Sequence, residues 1–268
     1  MKRTGFRWLL TMLCACLLPF GAWAEDELRG YEPGKGYIYV TLGRYCQTVD
    51  GGTIGQDSWK WCHEVIKDTS GLQLQSEPIR WRVLSVDDEK AHLLSEYVLL
   101  AHPLHIDYNQ YKTIGKDFGQ TDLCAYLNGA FAQEAFTADE LSMLLPRGDW
   151  GKVFLLTSEE AKDKSIGLGS GEGMKGWATE YAVRVTGSFV YSVGKGAHSP
   201  YWMADQSTTD ARHGRCTKAE GVLGHINSDR ENESARPAVY LDVNSFAIAG
   251  GAGTLSDPYV LVKGDKAQ

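Results

Sequence analysis

The chain has 268 residues, with 27 basic against 34 acidic side chains and a formal net charge of −7 at pH 7. An acidic chain without a basic stripe is unsuited to nucleic acid, whose binding rests on clustered Lys and Arg, and equally to an anionic membrane surface. The length suffices for one large domain or two small ones.

Lys2, Arg3 and Arg7 give a basic start, Trp8 to Phe20 is an almost unbroken apolar run, and Ala22-Trp23-Ala24 offers small residues where a signal peptidase reads. This predicts a secretory signal over residues 1–24, cleaved after Ala24 and too short for an ordinary transmembrane helix. The alternatives are an uncleaved anchor, or a lipoprotein modified at Cys16. No second apolar run is long enough to span a bilayer. The expectation is therefore an exported protein of the periplasm, cell envelope or medium. Loss of Lys2, Arg3 and Arg7 leaves 24 basic residues (27 less three) against 34 acidic.

Four cysteines follow the signal: Cys46, Cys62, Cys124 and Cys216. An even count in an oxidising compartment suggests two disulfides, with three connectivities open. Cys46–Cys62, stapling a local excursion, and Cys124–Cys216, tying a helix to a distant segment, are the favoured pairs. No two of these cysteines have the short spacing of a zinc site.

In chain order, residues 25–35 read as a polar tether, residues 36–262 as one domain and 263–268 as a tail. Gly36 to Leu42 has strand composition, with aromatic and aliphatic residues alternating. Thr48 to Gln75 is polar and Gly-bearing, which predicts a long loop. Ile79 to Val86 alternates apolar and polar, Asp87 to Lys90 is a turn, and Ala91 to Leu100 is again apolar, so a hairpin is expected. Thr121 should cap a helix through Phe131. Thr137-Ala138-Asp139-Glu140 is a capping box, in which the Thr accepts from a free amide and the Glu reaches back. Lys152 to Leu156 reads as a short strand, Thr157 and Thr179 as further caps, and Ile166 to Gly176 as a Gly-rich loop. Tyr201 to Ala204, Gly221 to Ile226 and Pro237 to Val243 are late strands. Strands at both ends with helices between predict an α+β fold with a mostly antiparallel sheet and a few short helices.

Several blocks, taken in order, carry a resemblance: Gly43-Arg44-Tyr45, Pro78 to Leu84, Leu93 to Tyr97, Tyr126 to Phe131, Val153 to Thr157, Tyr201-Trp202-Met203 and Arg236-Pro237-Ala238. This order resembles a bacterial family known as domain of unknown function 6273, over roughly Gly36 to Val243. The chain departs from it at Tyr201 to Asp205, which lacks the family's Arg, and at Cys124, where a basic residue is usual. The resemblance implies no established activity. Its arrangement is similar to C-type-lectin-like and formylglycine-generating-enzyme-like folds, and a fold does not fix a function. Gly250 to Leu261 resembles a closing motif of secreted bacterial proteins, and Tyr259 to Val262 is expected as a last edge strand.

Chemical motifs are sparse. His102, His105 and Asp107 have metal-ligand chemistry, but Pro103 breaks the helix that would align them, and a polar surface loop is the plainer reading. Ser95 and Glu96 lack a nucleophile elbow, and Gly169-Ser170-Gly171 lacks the flanking strand such an elbow needs. Asp205, Asp210, Asn227 and Asp229 match no calcium loop. Neither metal nor cofactor is expected. Aromatics remain: Trp177, Tyr181, Tyr201 and Trp202, with Asp205, are the ligand-binding candidates, because rings beside polar side chains suit sugars. Trp177, among glycines, is best placed for exposure, whereas Trp81 and Trp202 are favoured as core. Arg236 is expected to anchor a buried acid such as Asp205. The leading expectation is a non-enzymatic module for a glycan, peptide or envelope protein. The alternatives are an envelope enzyme, hydrolase or formylglycine-generating-like oxidase, and a purely structural surface module.

Overall fold

The computed structural model describes residues 20–29, 31–32, 36–52, 54, 65–110, 117–169, 171–192, 197–206, 210, 212–218 and 221–264. A helix, α1 (Phe20–Arg29), precedes the long strands β1 (Tyr39–Val49) and β2 (Leu74–Val86). β3 (Lys90–Ser95) completes the expected hairpin with β2. Its turn is set locally, because the Asp87 carboxylate accepts from the N–H groups of Glu89 and Lys90. Short strands β4 (Tyr97–Val98) and β5 (Leu100–Ala101) follow.

Helices then occupy the middle of the chain: α2 (Asp122–Tyr126), a π turn over Leu127–Phe131, α3 (Ala132–Ala135) and α4 (Ala138–Met143). After β6 (Leu144–Leu145) and β7 (Val153–Phe154) come α5 (Ser158–Lys162), β8 (Trp177–Ala178) and α6 (Glu180–Arg184). Four helix starts are fixed by threonine hydroxyls accepting from otherwise orphaned amides, at Thr121, Thr137, Thr157 and Thr179. Thr137 and Thr157 form full capping boxes with Glu140 and Glu160. The last third is stranded: β9 (Trp202–Gln206), β10 (His213–Thr217), β11 (Leu223–Asn227), β12 (Ser234–Ala235), β13 (Ala238–Asp242), β14 (Phe246–Gly250) and β15 (Tyr259–Lys263).

The main sheet runs β14-β15-β1-β2-β3-β13-β6, with β7 also on β13. All its pairings are antiparallel except β1 with β15. The expected α+β architecture with a largely antiparallel sheet is thus present. Val40 and Trp81 are register partners, as are Tyr39 and Arg82, so alternation sends the two pairs to opposite faces. Phe136, just past α3, stacks on Trp81 at 6.2 Å, and Phe131 packs on Tyr45 at 4.9 Å, which seals the helical side. A separate three-stranded sheet, β11-β10-β9, forms a second layer.

Several expectations need correction. Residues 25–29 are helix rather than tether, because Leu28 finds a fully buried site in the core. The predicted loop from Thr48 to Gln75 is shorter, since Thr48 and Gln75 pair within the β1–β2 ladder. β15 is not an edge strand: it sits between β14 and β1. β10 was not expected, its polar run His213-Gly214-Arg215 hiding a strand whose two neighbours supply the ladder.

Candidate functional site

Among the described residues, a ring-rich concavity lies where the chain enters the main sheet. Tyr37 and Tyr39 leave the start of β1 two residues apart and meet edge to face at 6.2 Å. Tyr31 comes from the end of α1, its N–H bonded to Leu28 O at 3.2 Å. The turn before β15 supplies the opposite rim, and Tyr39 N–H binds Gly253 O at 2.9 Å. Together Glu27, Tyr31, Glu32, Tyr37, Tyr39 and Leu255 line most of a cleft of about 480 Å³, with Ile38 and the backbone of Gly36 and residues 252–254. That volume lies within the roughly 300–1,000 Å³ usual for small-molecule sites.

The walls are positioned by specific contacts. Gly167 adopts φ +78°, and a Cβ there would press 2.7 Å from the Tyr37 ring, so glycine allows the Tyr37 hydroxyl to reach Gly167 O. Gly253, at φ +71°, likewise admits the Tyr259 ring, whose hydroxyl donates to Glu27 and so ties α1 to β15. Ile248 N–H donates to Glu25 Oε1 at 3.3 Å. α1 spans the expected cleavage point after Ala24, yet Glu25, Glu27 and Leu28, which dock it, all follow that point. Burial raises the phenol pKa of Tyr31 and Tyr39, so both hydroxyls stay protonated around neutrality. The Tyr31 hydroxyl is buried and makes no hydrogen bond.

Behind the tyrosines lies a buried charge network. Arg82 faces Tyr39 in register and sets its guanidinium 4.2 Å above the Tyr37 ring. Its Nε and Nη2 donate to the two carboxylate oxygens of Glu96 at 2.9 and 3.0 Å. Arg236 lies beyond, fully enclosed. It donates to Ser95 O at 2.8 Å, Glu96 O at 3.1 Å and Lys175 O at 3.2 Å, with Glu96 Oε2 at 3.9 Å. Arg236 therefore has a buried acid nearby, but it is Glu96 rather than the expected Asp205.

The aromatic candidates of the late half do not converge on one site. Trp202 is wholly buried and donates its indole N–H to His102 O at 2.8 Å, a core position like that of Trp81. Tyr201 is buried too, its hydroxyl bonded to Met174 O at 2.8 Å. Tyr181 packs edge-on to Tyr45 at 5.7 Å. Asp205 accepts from Ser158 N–H at the start of α5. Trp177 is half-buried, as are Tyr181 and Asp205, and it pairs with Tyr97 where β8 meets β4.

Other sequence candidates disperse as well. His102 stacks on Tyr126 at 4.8 Å, His105 is enclosed, and Asp107 caps the turn to Asn109. Among the described residues, no group of three or more His, Cys, Asp and Glu could hold a metal ion. Ser95 donates to Tyr97 O while Glu96 is held by Arg82, so the two do not form a nucleophile and base. Ser170 lies outside the described residues.

The expected Cys124–Cys216 bridge is not formed. Both thiols are free, Cys124 against Trp150 O at 3.4 Å and Cys216 beside Glu233 in the second layer. Burial pushes the Cys124 thiol up to about 11 and the Cys216 thiol higher still, so neither is a nucleophile. Burial also raises the Cys46 thiol, and its expected partner Cys62 lies outside the described residues. No helix among the described residues is long and apolar enough to cross a membrane.

Sequence reasoning missed the cleft because Tyr31 fell in the supposed tether. The Tyr37-x-Tyr39 alternation was the available signal, since period two puts both rings on one face of a strand. No family model, curated protein or solved structure matches the chain.

Proposed function

We propose that the chain is an exported envelope or secreted module, of the kind that its resemblance to the domain of unknown function 6273 implies, and that it binds a small ligand without turning it over. The observation that carries this reading is the tyrosine cleft itself: three phenol rings and two carboxylates around one concavity of ligand size. Its rings offer faces and edges for contact, and the burial-raised phenols of Tyr31 and Tyr39 are poor acid–base groups near neutrality. The buried Arg82–Glu96 pair serves as support behind the rings, each charge answering the other.

A thermal-shift screen of the full chain against cell-wall fragments, oligosaccharides, peptides and small organic ions tests it. A ligand at a hundred times its Kd stabilises the folded state by about 2.7 kcal/mol. The shift should vanish in Tyr31→Ala and persist in Trp177→Ala. The reverse pattern would move the site to Trp177 and sink the cleft. Steady conversion of any bound compound would replace the binding reading with an enzyme.

A further inference from the structure

We propose that the free edge of the second layer takes up an acidic peptide strand, added beside β11, independently of the tyrosine cleft. In the order β11-β10-β9, β11 stands at the end, and among the described residues no strand pairs with its outer side. The direction of each backbone group follows from the bonds that bracket the ladder. Lys218 N–H donates to Val222 O at 2.7 Å, and Ser228 N–H to Arg212 O at 2.9 Å. Bonded pairs recur at every second residue, so Cys216–Gly224 and Gly214–Ile226 are the bonding pairs between them. Thr217 N–H accordingly turns the other way, to Tyr201 O at 2.9 Å.

Leu223, His225 and Asn227 therefore direct their N–H groups away from β10, and Leu223 and His225 their C=O groups as well. Asn227 O accepts from Arg230 N–H, but among the described residues none of the other outward groups has a partner. His225 and Asn227 are exposed and Leu223 is half-buried, so this edge faces solvent. A row of unpaired donors and acceptors is a template for a further strand.

The charge beside the edge says which strand. Leu223, His225 and Asn227 share a face with their register partners Thr217, Arg215 and His213. His213 and His225 stack across that face at 5.1 Å. Among the described residues Arg215 makes no ion pair, and its Nε has no hydrogen bond. Asp210 is held by Arg212 at 2.9 and 3.0 Å, and Asp229 and Glu231 follow the strand rather than flank its middle. A carboxylate opposite His225 would stand on the face of Arg215 and answer its charge. A second copy pairing edge to edge would instead set His225 against His225 and leave Arg215 unanswered.

The probe is a capped nonapeptide, Thr-Val-Thr-Val-Glu-Val-Thr-Val-Thr, titrated against the full chain and read by fluorescence anisotropy. It should bind about tenfold more tightly than the same peptide with Lys for Glu. In an added strand, residues that bond to β11 alternate with residues that do not. N-methylation of the Glu and Thr residues should abolish binding, whereas N-methylation of the Val residues should preserve it, with the charge unchanged. His225→Pro should also abolish binding, because it removes the central N–H of the edge and spares the ladder to β10. Arg215→Gln should erase the preference for Glu over Lys.

Equal binding of the two N-methylated peptides, or of the Glu and Lys peptides, would overturn the proposal, as would binding of neither. The peptide comparisons leave the chain intact, so they hold even if a variant fails to fold. Binding lost in Tyr31→Ala and kept in His225→Pro would move the peptide to the tyrosine cleft. A dimer that His225→Pro dissolves, with no peptide bound, would give the edge to a second copy of the chain.

Discussion

Two buried glutamates sit in opposite electrostatic settings. On the main sheet, Glu96 receives two N–H groups from Arg82 and lies 3.9 Å from Arg236. Beside Cys216 of the second layer, Glu233 is at least as enclosed, yet its Oε1 has no hydrogen bond. Burial there outweighs Lys218 and Arg230, and pushes the carboxyl up to about 7. Other buried polar atoms also lack partners: both ring nitrogens of His105 and the Ser228 hydroxyl, in two residues joined by the 3.0 Å backbone bond from His105 N–H to Ser228 O. The Arg82–Glu96 charge of the main sheet is answered, although Glu77 Oε2 and His92 Nε2 are buried there without hydrogen bonds, while Glu233 Oε1, both His105 ring nitrogens and the Ser228 hydroxyl go unanswered. Rigidity is therefore expected at the Arg82–Glu96 pair behind the tyrosine cleft, and sensitivity to pH at Glu233 and at His92.

The largest expected effect breaks the answered charge. Arg82→Ala removes both donors from Glu96 and the cation over Tyr37. Stranding a buried carboxylate costs about 3–5 kcal/mol, read as a lower midpoint in urea unfolding. The double variant Arg82→Met with Glu96→Leu should recover most of this, because apolar pairs of similar volume often replace buried ion pairs without loss. A single variant that loses under about 1 kcal/mol would mean that water already reaches Glu96.

How much of this was legible is uneven. The four threonine caps and the Asp87 turn were readable because each is a contact within three residues. The hairpin was readable because alternation betrays a half-buried strand. The cleft was not, since its opposing rim joins β1 across the chain: Thr41 bonds to Tyr259, 218 residues away. Leu28 and Tyr31 were obscured for a different reason. A polar segment behind a signal reads as a tether, and only the Glu27–Tyr259 contact and the buried Leu28 make it a wall. Tyr201 and Trp202 misled because an aromatic beside polar residues is the same string in a core strand as at a binding surface.

The next effect sharpens the comparison through pH. Glu233 has a folded value of about 7 against 4.5 unfolded, so from pH 4.5 to 7 only the folded form holds its proton. Stability is present below pH 4.5 and falls by about 3 kcal/mol as pH rises to 7. His92, buried in the main sheet between Phe154 and Tyr240, opposes this. Burial lowers it to about 4 from 6.5, so its contribution is present above pH 6.5 and is lost, by about 3 kcal/mol, as pH falls towards 4. The two slopes cancel in the parent chain over roughly pH 4.5–6.5. Glu233→Gln should uncover a stability that rises with pH, and His92→Phe one that falls. Urea midpoints across this range that stay level in both variants would contradict the burial of both groups.

The smallest effect is also the most discriminating, because it compares one chemical group in both settings. Ser95 and Ser228 are both enclosed. Ser95 donates to Tyr97 O at 2.9 Å, whereas the Ser228 hydroxyl has no partner. Deleting a bonded hydroxyl costs about 1 kcal/mol, while deleting an unbonded buried one removes a desolvated group and is neutral or stabilising. Ser95→Ala should therefore lower the urea midpoint, and Ser228→Ala should leave it unchanged or raise it. If both fell equally, the Ser228 hydroxyl would have to be solvated in solution. Solvent at Ser228 would also reach towards its backbone partner His105, and the contrast between an answered and an unanswered interior would then dissolve from the second layer inward.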